Sequence, residues 1–308
     1  MGNVKNIFLI SIISFSCIGL ASCADQAKIA TSSVKTQIPP KATAAAYTQK
    51  IINTPTAVVS PTKLDSKKVI ESWEEFNDSD FPLIASIPEK GIYLYAIKDG
   101  GVVLYINNKG HYYDWEYLTP RFILPQMRVY DYDKDGKDEL AVVLYIGSGT
   151  GFSVEELHIV EISENVDLSD NPSDKNYSVP NPEYFKDYIY FPKDYITQLN
   201  KLTKIVIHNK TNEAAAEVIV NAKLSSLDLG ENKFEGKKLN YESKPIYGDI
   251  AHFNIEGNKI TADFALGICN NLHAEPVYVG DVNADVSFAR GKFTLRNLYF
   301  KANEEYLK

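Results

Sequence analysis

At 308 residues the chain has room for one large domain or two modest ones, with ample material for a core. It is 44% apolar and 23% charged, and its 20 tyrosines, with many Val and Ile, favour strands over helices. The net charge of −8, without a basic cluster interleaved with aromatics, argues against nucleic acid as a partner and is equally what plain solubility requires.

Residues 1–6 carry one lysine, and residues 7–21 form a 15-residue apolar run. A bilayer span takes about 20 residues, so the run reads as the core of a signal peptide. It ends in Leu20-Ala21-Ser22-Cys23, which resembles the bacterial lipoprotein box. The resemblance implies a signal peptide over residues 1–22, removed before Cys23. Cys23 then becomes the lipid-modified first residue of a protein held on the outer side of the bacterial cell membrane. The alternatives are an ordinary secretory signal with an incidental cysteine and a single uncleaved membrane helix. With Cys17 lost and Cys23 lipidated, Cys269 would remain as a buried thiol in an apolar segment. Residues 23–64, rich in Ala, Thr, Lys, Ser, Gln and Pro, are expected to form a disordered tether.

The remainder is expected to be mainly β, a β-rich α+β body of antiparallel meanders with a few short helices. Residues 65–178 form a first β-rich domain, and residues 179–308 form a second one or continue the same body. Asp65 to Asn77 predicts a short helix, with Asp65 and Ser66 as start signals and Val69, Ile70, Trp73 and Phe76 on one face, Trp73 packing into the core. Runs at 81–87, 91–98, 101–107 and 111–118, separated by Gly-rich turns, predict a meander of hairpins. Tyr112, Tyr113, Trp115 and Tyr117 can form a sugar-stacking platform, but read more simply as a half-buried strand with aromatics on both faces.

Residues 140–146 are an unbroken apolar run, predicting a buried strand. Gly147 to Gly151 then reads as a hairpin turn into a strand at 154–162. A phosphate-cradling loop would need a helix there instead. Residues 163–188, polar and proline-punctuated, read as a linker or long surface loop. Residues 192–202 predict a helix with Pro192 at its first position and Asp194 in its first turn. Further strands are expected at 203–208, 217–222, 249–255, 259–268, 277–288 and 292–300.

The chemically specific stretch is Asp131-Tyr-Asp133-Lys-Asp135-Gly136-Lys137-Asp138-Glu139. Carboxylates at alternate positions with a glycine to turn the chain are what a hard cation needs, since calcium takes six to eight oxygens at about 2.3–2.6 Å. An EF-hand would place a bidentate Glu at the twelfth loop position, which here is Val142 inside the apolar run, so that reading fails. The pattern instead resembles the calcium loops of FG-GAP or VCBS-type repeats. That resemblance implies calcium held by Asp131, Asp133, Asp135, the Lys137 carbonyl and Glu139, with Glu in place of the usual Asp at the last position. It covers about twenty residues and implies a site rather than a whole propeller. The alternative is a solvated acidic turn without an ion. The DWEYLTPR and ELHIVE segments also resemble exported lipoproteins of Gram-positive bacteria.

The sequence carries no His-Glu-x-x-His, Gly-x-Ser-x-Gly or Cys-His arrangement. Glu155 and His158 have Glu-x-x-His spacing, but on a strand that spacing points them to opposite faces. The expectation is therefore a lipid-anchored envelope protein with a binding or interaction role and one structural calcium site, its partners the membrane and an envelope protein or glycan. The alternative is an extracytoplasmic hydrolase of cell-wall or carbohydrate material.

Overall fold

The structure, a computed structural model, describes residues 68–307 apart from 99, 108, 118–121, 164, 168–177 and 181–183. The expected signal peptide, tether and lipid-bearing Cys23 lie outside the described residues. No helix among the described residues is long and apolar enough to cross a membrane.

The body is mainly β, as expected. Its first helix, α1 (Trp73–Asp78), is shorter than predicted. The reason is local competition: the Ile70 amide donates to Leu83 O at 3.0 Å, which ties the preceding residues to the first strand. The start signal is Ser72, whose Oγ accepts the Glu75 amide at 3.2 Å, while the Glu75 carboxylate accepts the Glu71 amide at 2.7 Å. Trp73 is not the core residue expected. It is 45% exposed and makes edge contacts with Phe76 and Phe122.

Strands β1 (Leu83–Ile87), β2 (Ile92–Ala96), β3 (Val102–Ile106) and β4 (Lys109–Tyr113) form the expected antiparallel meander in chain order. Next come β5 (Gln126–Tyr130), β6 (Glu139–Gly149) and β7 (Phe152–Glu161), joined in the same up-and-down manner. Residues 163–188, expected as linker or loop, contain three short strands. Of these, β8 (Asn165–Asp167) pairs with β9 (Ser178–Pro180), and β10 (Asp187–Ile189) adds to β7. Helix α2 (Pro192–Leu202) has the predicted bounds and buries Tyr195 and Leu199. Strands β11 (Thr203–Asn209), β12 (Glu213–Val220) and β13 (Lys223–Glu231) form a separate three-stranded sheet. The ribbon of β14 (Lys233–Phe234) and β15 (Lys237–Lys238) precedes β16 (Tyr241–Ile246), β17 (Ile250–Glu256), β18 (Lys259–Asn270), β19 (Val277–Ala289) and β20 (Lys292–Ala302).

The largest sheet runs β20-β19-β18-β17-β7-β6-β5, with β10 beside β7 and β16 beside β18. Every pairing in it is antiparallel except β17 with β7, where Ile250 and Ala251 stand against Ser153 and Val154. Strands from both sides of residue 178 are thus bonded into one sheet. This sheet explains the unbroken apolar run of β6. Leu140, Val142 and Leu144 pack with the β1–β4 meander, while Ala141 and Val143 join the core beneath α2 and the three-stranded sheet. A strand buried on both faces has no position for a polar residue. In β17, β18 and β19 one face is open, and residues alternate accordingly. Phe253, Phe264 and Val282 point inward, while His252, Asp263 and Asn283 form a row across the other side. Cys269, in β18, is buried at 1% exposure, as expected.

Candidate metal centre

The loop between β5 and β6 folds by hydrogen bonds from its own backbone to its own carboxylates. Asp131 accepts the amides of Asp135 and Gly136, each at 3.1 Å, on its two oxygens. Asp133 also accepts the Asp135 amide at 3.0 Å, and Asp135 accepts the Lys137 amide at 2.9 Å. This winding needs left-handed backbone at Lys134 (φ 66°) and Gly136 (φ 89°), and glycine supplies the second without strain. Glu139, at the start of β6, is 1% exposed, and its Oε2 accepts the Tyr132 amide at 2.7 Å and the Asp133 amide at 3.4 Å.

The side chains therefore converge. One oxygen from each of Asp131, Asp133, Asp135 and Glu139 lies within 4.8 Å of the others. Oxygens around an ion at 2.3–2.6 Å are at most about 5 Å apart, so the donor set matches the sphere of a hard divalent cation in both size and chemistry. Lys137 contributes its amide and a 3.7 Å ammonium contact to Asp135, and its carbonyl is the remaining ligand implied by the repeat resemblance.

Crowding of negative charge leaves an electrostatic signature. Burial raises the Glu139 carboxyl to about 8, with the charges of Asp133 and Glu161 adding to the effect against the Tyr132 and Asp133 amides. Burial and the neighbouring Asp135 also raise Asp133, opposed by amides that include the Arg290 backbone. A cation among these oxygens would favour the ionised form of each. The Arg290 amide also ties the loop to the β19–β20 turn.

Two further polar groups are assembled by the fold. His158 is fully buried, with Nδ1 3.0 Å from Asp187 and Nε2 2.9 Å from Glu156, and the Trp115 indole donates to Asp187 at 2.7 Å. Tyr113 stacks on Trp115 at 4.3 Å, so two members of the aromatic group brace this ion network instead of presenting a platform. Glu155 is not part of it; its carboxylate accepts the Phe253 amide at 2.7 Å. The chain signalled the network only faintly, through Glu156 and His158 two residues apart on one face of a strand, because Asp187 sits in a stretch with no strand pattern. The second group joins Ser153 Oγ to His252 Nε2 at 2.8 Å and to Tyr145 Oη at 3.2 Å.

Comparison with family models, curated proteins and solved structures finds no match to this chain.

Proposed function

We propose that this is a lipid-anchored protein of the bacterial envelope whose β body carries one calcium-binding loop and acts by binding rather than catalysis. The observation that carries the reading is the convergence of four carboxylates within 4.8 Å between two hydrogen-bonded strands. All-oxygen donors select hard cations, and the number of carboxylates favours calcium over magnesium, which keeps several of its waters. The address rests on Leu20-Ala21-Ser22-Cys23, with acylation of Cys23 supplying the anchor.

Thermal melts test the loop. At a calcium concentration about ten times the dissociation constant, binding adds about 1.4 kcal/mol, a rise of roughly 3–6 °C in Tm for a body of this size. Asp133→Ala should abolish the rise, and melts indifferent to chelator would remove the reading. Mass spectrometry of the N-terminal peptide tests the anchor: a diacylglyceryl adduct on Cys23 is expected, and Cys23→Ser should release the protein from membranes.

A hydrolase is the second reading, favoured by the Ser153–His252 hydrogen bond and by Asp263 standing opposite His252 in the strand register. A serine beside an imidazole base can act as a nucleophile. If so, Ser153→Ala abolishes turnover of an activated ester. The same slow turnover in both proteins rejects it.

A further inference from the structure

Beside the acidic loop lies a recess of about 340 Å³, lined by Asp133, Asp135, Lys137, Glu161, Lys186, Tyr188, Arg290 and Gly291. Its walls come from three places: the β5–β6 loop, the segment entering β10, and the β19–β20 turn. The turn closes on the aromatic wall because residue 291 is glycine. A Cβ there would lie 2.5 Å from the Tyr188 ring, and its φ of 70° is left-handed. Lys186 Nζ stands 4.7 Å over the same ring.

We propose that this recess binds a small hydroxylated anion, a carboxylate or phosphate group on a sugar or polyol, and does so only when the loop holds calcium. The proposal rests on the calcium reading above and extends it to a ligand. Three acidic and three basic side chains line the recess, so without an ion their charges offset and Asp133 and Asp135 repel an anion. A divalent cation held by those same two aspartates, with Asp131 and Glu139, offsets two of the four negative charges and so relieves the repulsion from the shared wall. Lys137, Lys186 and Arg290 then act with it instead of cancelling against the carboxylates. Coordination points the same way. Calcium takes six to eight oxygens, so one oxygen from each of four carboxylates plus a carbonyl leaves at least one position open to a further oxygen. The volume sits at the small end of ligand pockets, roughly 300–1,000 Å³.

The test uses the full-length protein and isothermal titration. Calcium alone is titrated first. D-glucuronate and glycerol 1-phosphate are then titrated into calcium-loaded and chelator-treated protein, with glucose and glycerol as neutral probes. The expected result is binding of at least one acidic probe, weakened tenfold or more by chelator and by Lys186→Ala or Arg290→Ala, with calcium binding itself unchanged in both variants. A preference for glucuronate or for glycerol phosphate identifies the anionic group. Failure of calcium to bind overturns the loop reading and this proposal together. Normal calcium binding overturns this proposal alone if neither acidic probe binds, if the neutral probes bind as well, or if Arg290→Ala and Lys186→Ala leave acidic-probe binding unchanged.

Discussion

His158 has both ring nitrogens committed to carboxylates in a fully buried position, Asp187 on one side and Glu156 on the other. Burial alone would lower its pKa, but the charge and hydrogen bonds of Asp187 and then Glu156 outweigh it and raise the imidazole to about 9. The unfolded chain titrates near 6.5. The stabilisation is therefore complete below pH 6.5 and is lost as pH rises through about 9. At 1.36 kcal/mol per pKa unit it amounts to about 3 kcal/mol. His158→Gln should then lower stability by about that amount at pH 6 and leave a shallower loss between pH 6.5 and 9 than in the parent protein, read by urea melts across that window. Parallel slopes would mean the imidazole is neutral. Glu139 loses stability with pH in the same sense, over roughly 4.5 to 8 in the absence of a cation, so only the difference between parent and variant isolates His158. Tyr195 is the opposite kind of residue. Its Oη is buried without a hydrogen-bond partner among the described residues, and Tyr195→Phe should hold or raise stability by about 1 kcal/mol in the same melts.

At the scale of elements, the β12–β13 hairpin shows how a turn can be satisfied imperfectly. Val220 pairs with Lys223 across Asn221 and Ala222, whose φ values of 49° and 63° make a two-residue left-handed turn. Asparagine tolerates that region, but alanine pays for its Cβ, and glycine is the usual occupant. Ala222→Gly should therefore raise stability by roughly 0.5–1 kcal/mol, visible as a higher Tm. A fall would mean the turn is relaxed with alanine in place. The β5–β6 loop solves a similar problem with its own carboxylates, which take up backbone amides and still bring one oxygen each within 4.8 Å of the others.

For the whole molecule, β6 and β7 bind the two cores together. Leu140, Val142, Leu144 and Val160 belong to the core under the meander, and Ala141, Val143, Leu157 and Ile159 to the other. Neither core can lose these strands without exposing the second. Calorimetry should accordingly show one cooperative transition. Leu144→Ala and Phe264→Ala, in opposite cores, should each move it down without splitting it, at a cost of about 2–5 kcal/mol apiece. Two resolved transitions would mean the cores unfold separately.

By itself the sequence determined the mainly β character, the meander, the bounds of α2 and the four carboxylates of the loop. These are set by features a few residues apart: period-two alternation, Gly-rich turns, Pro192 with Asp194, and aspartates at alternate positions. The start of α1 was missed because a bond from Ile70 to Leu83 overrode a helical pattern, and β13 because its exposed face is polar along most of its length. Only the tertiary structure decided that Asp187 reaches His158, that β17 lies parallel to β7, and that the β19–β20 turn closes a recess against the acidic loop. Those partners are 29 to about 155 residues apart along the chain, and pairings at such distances are fixed by sheet order and shared burial, which no local spacing encodes.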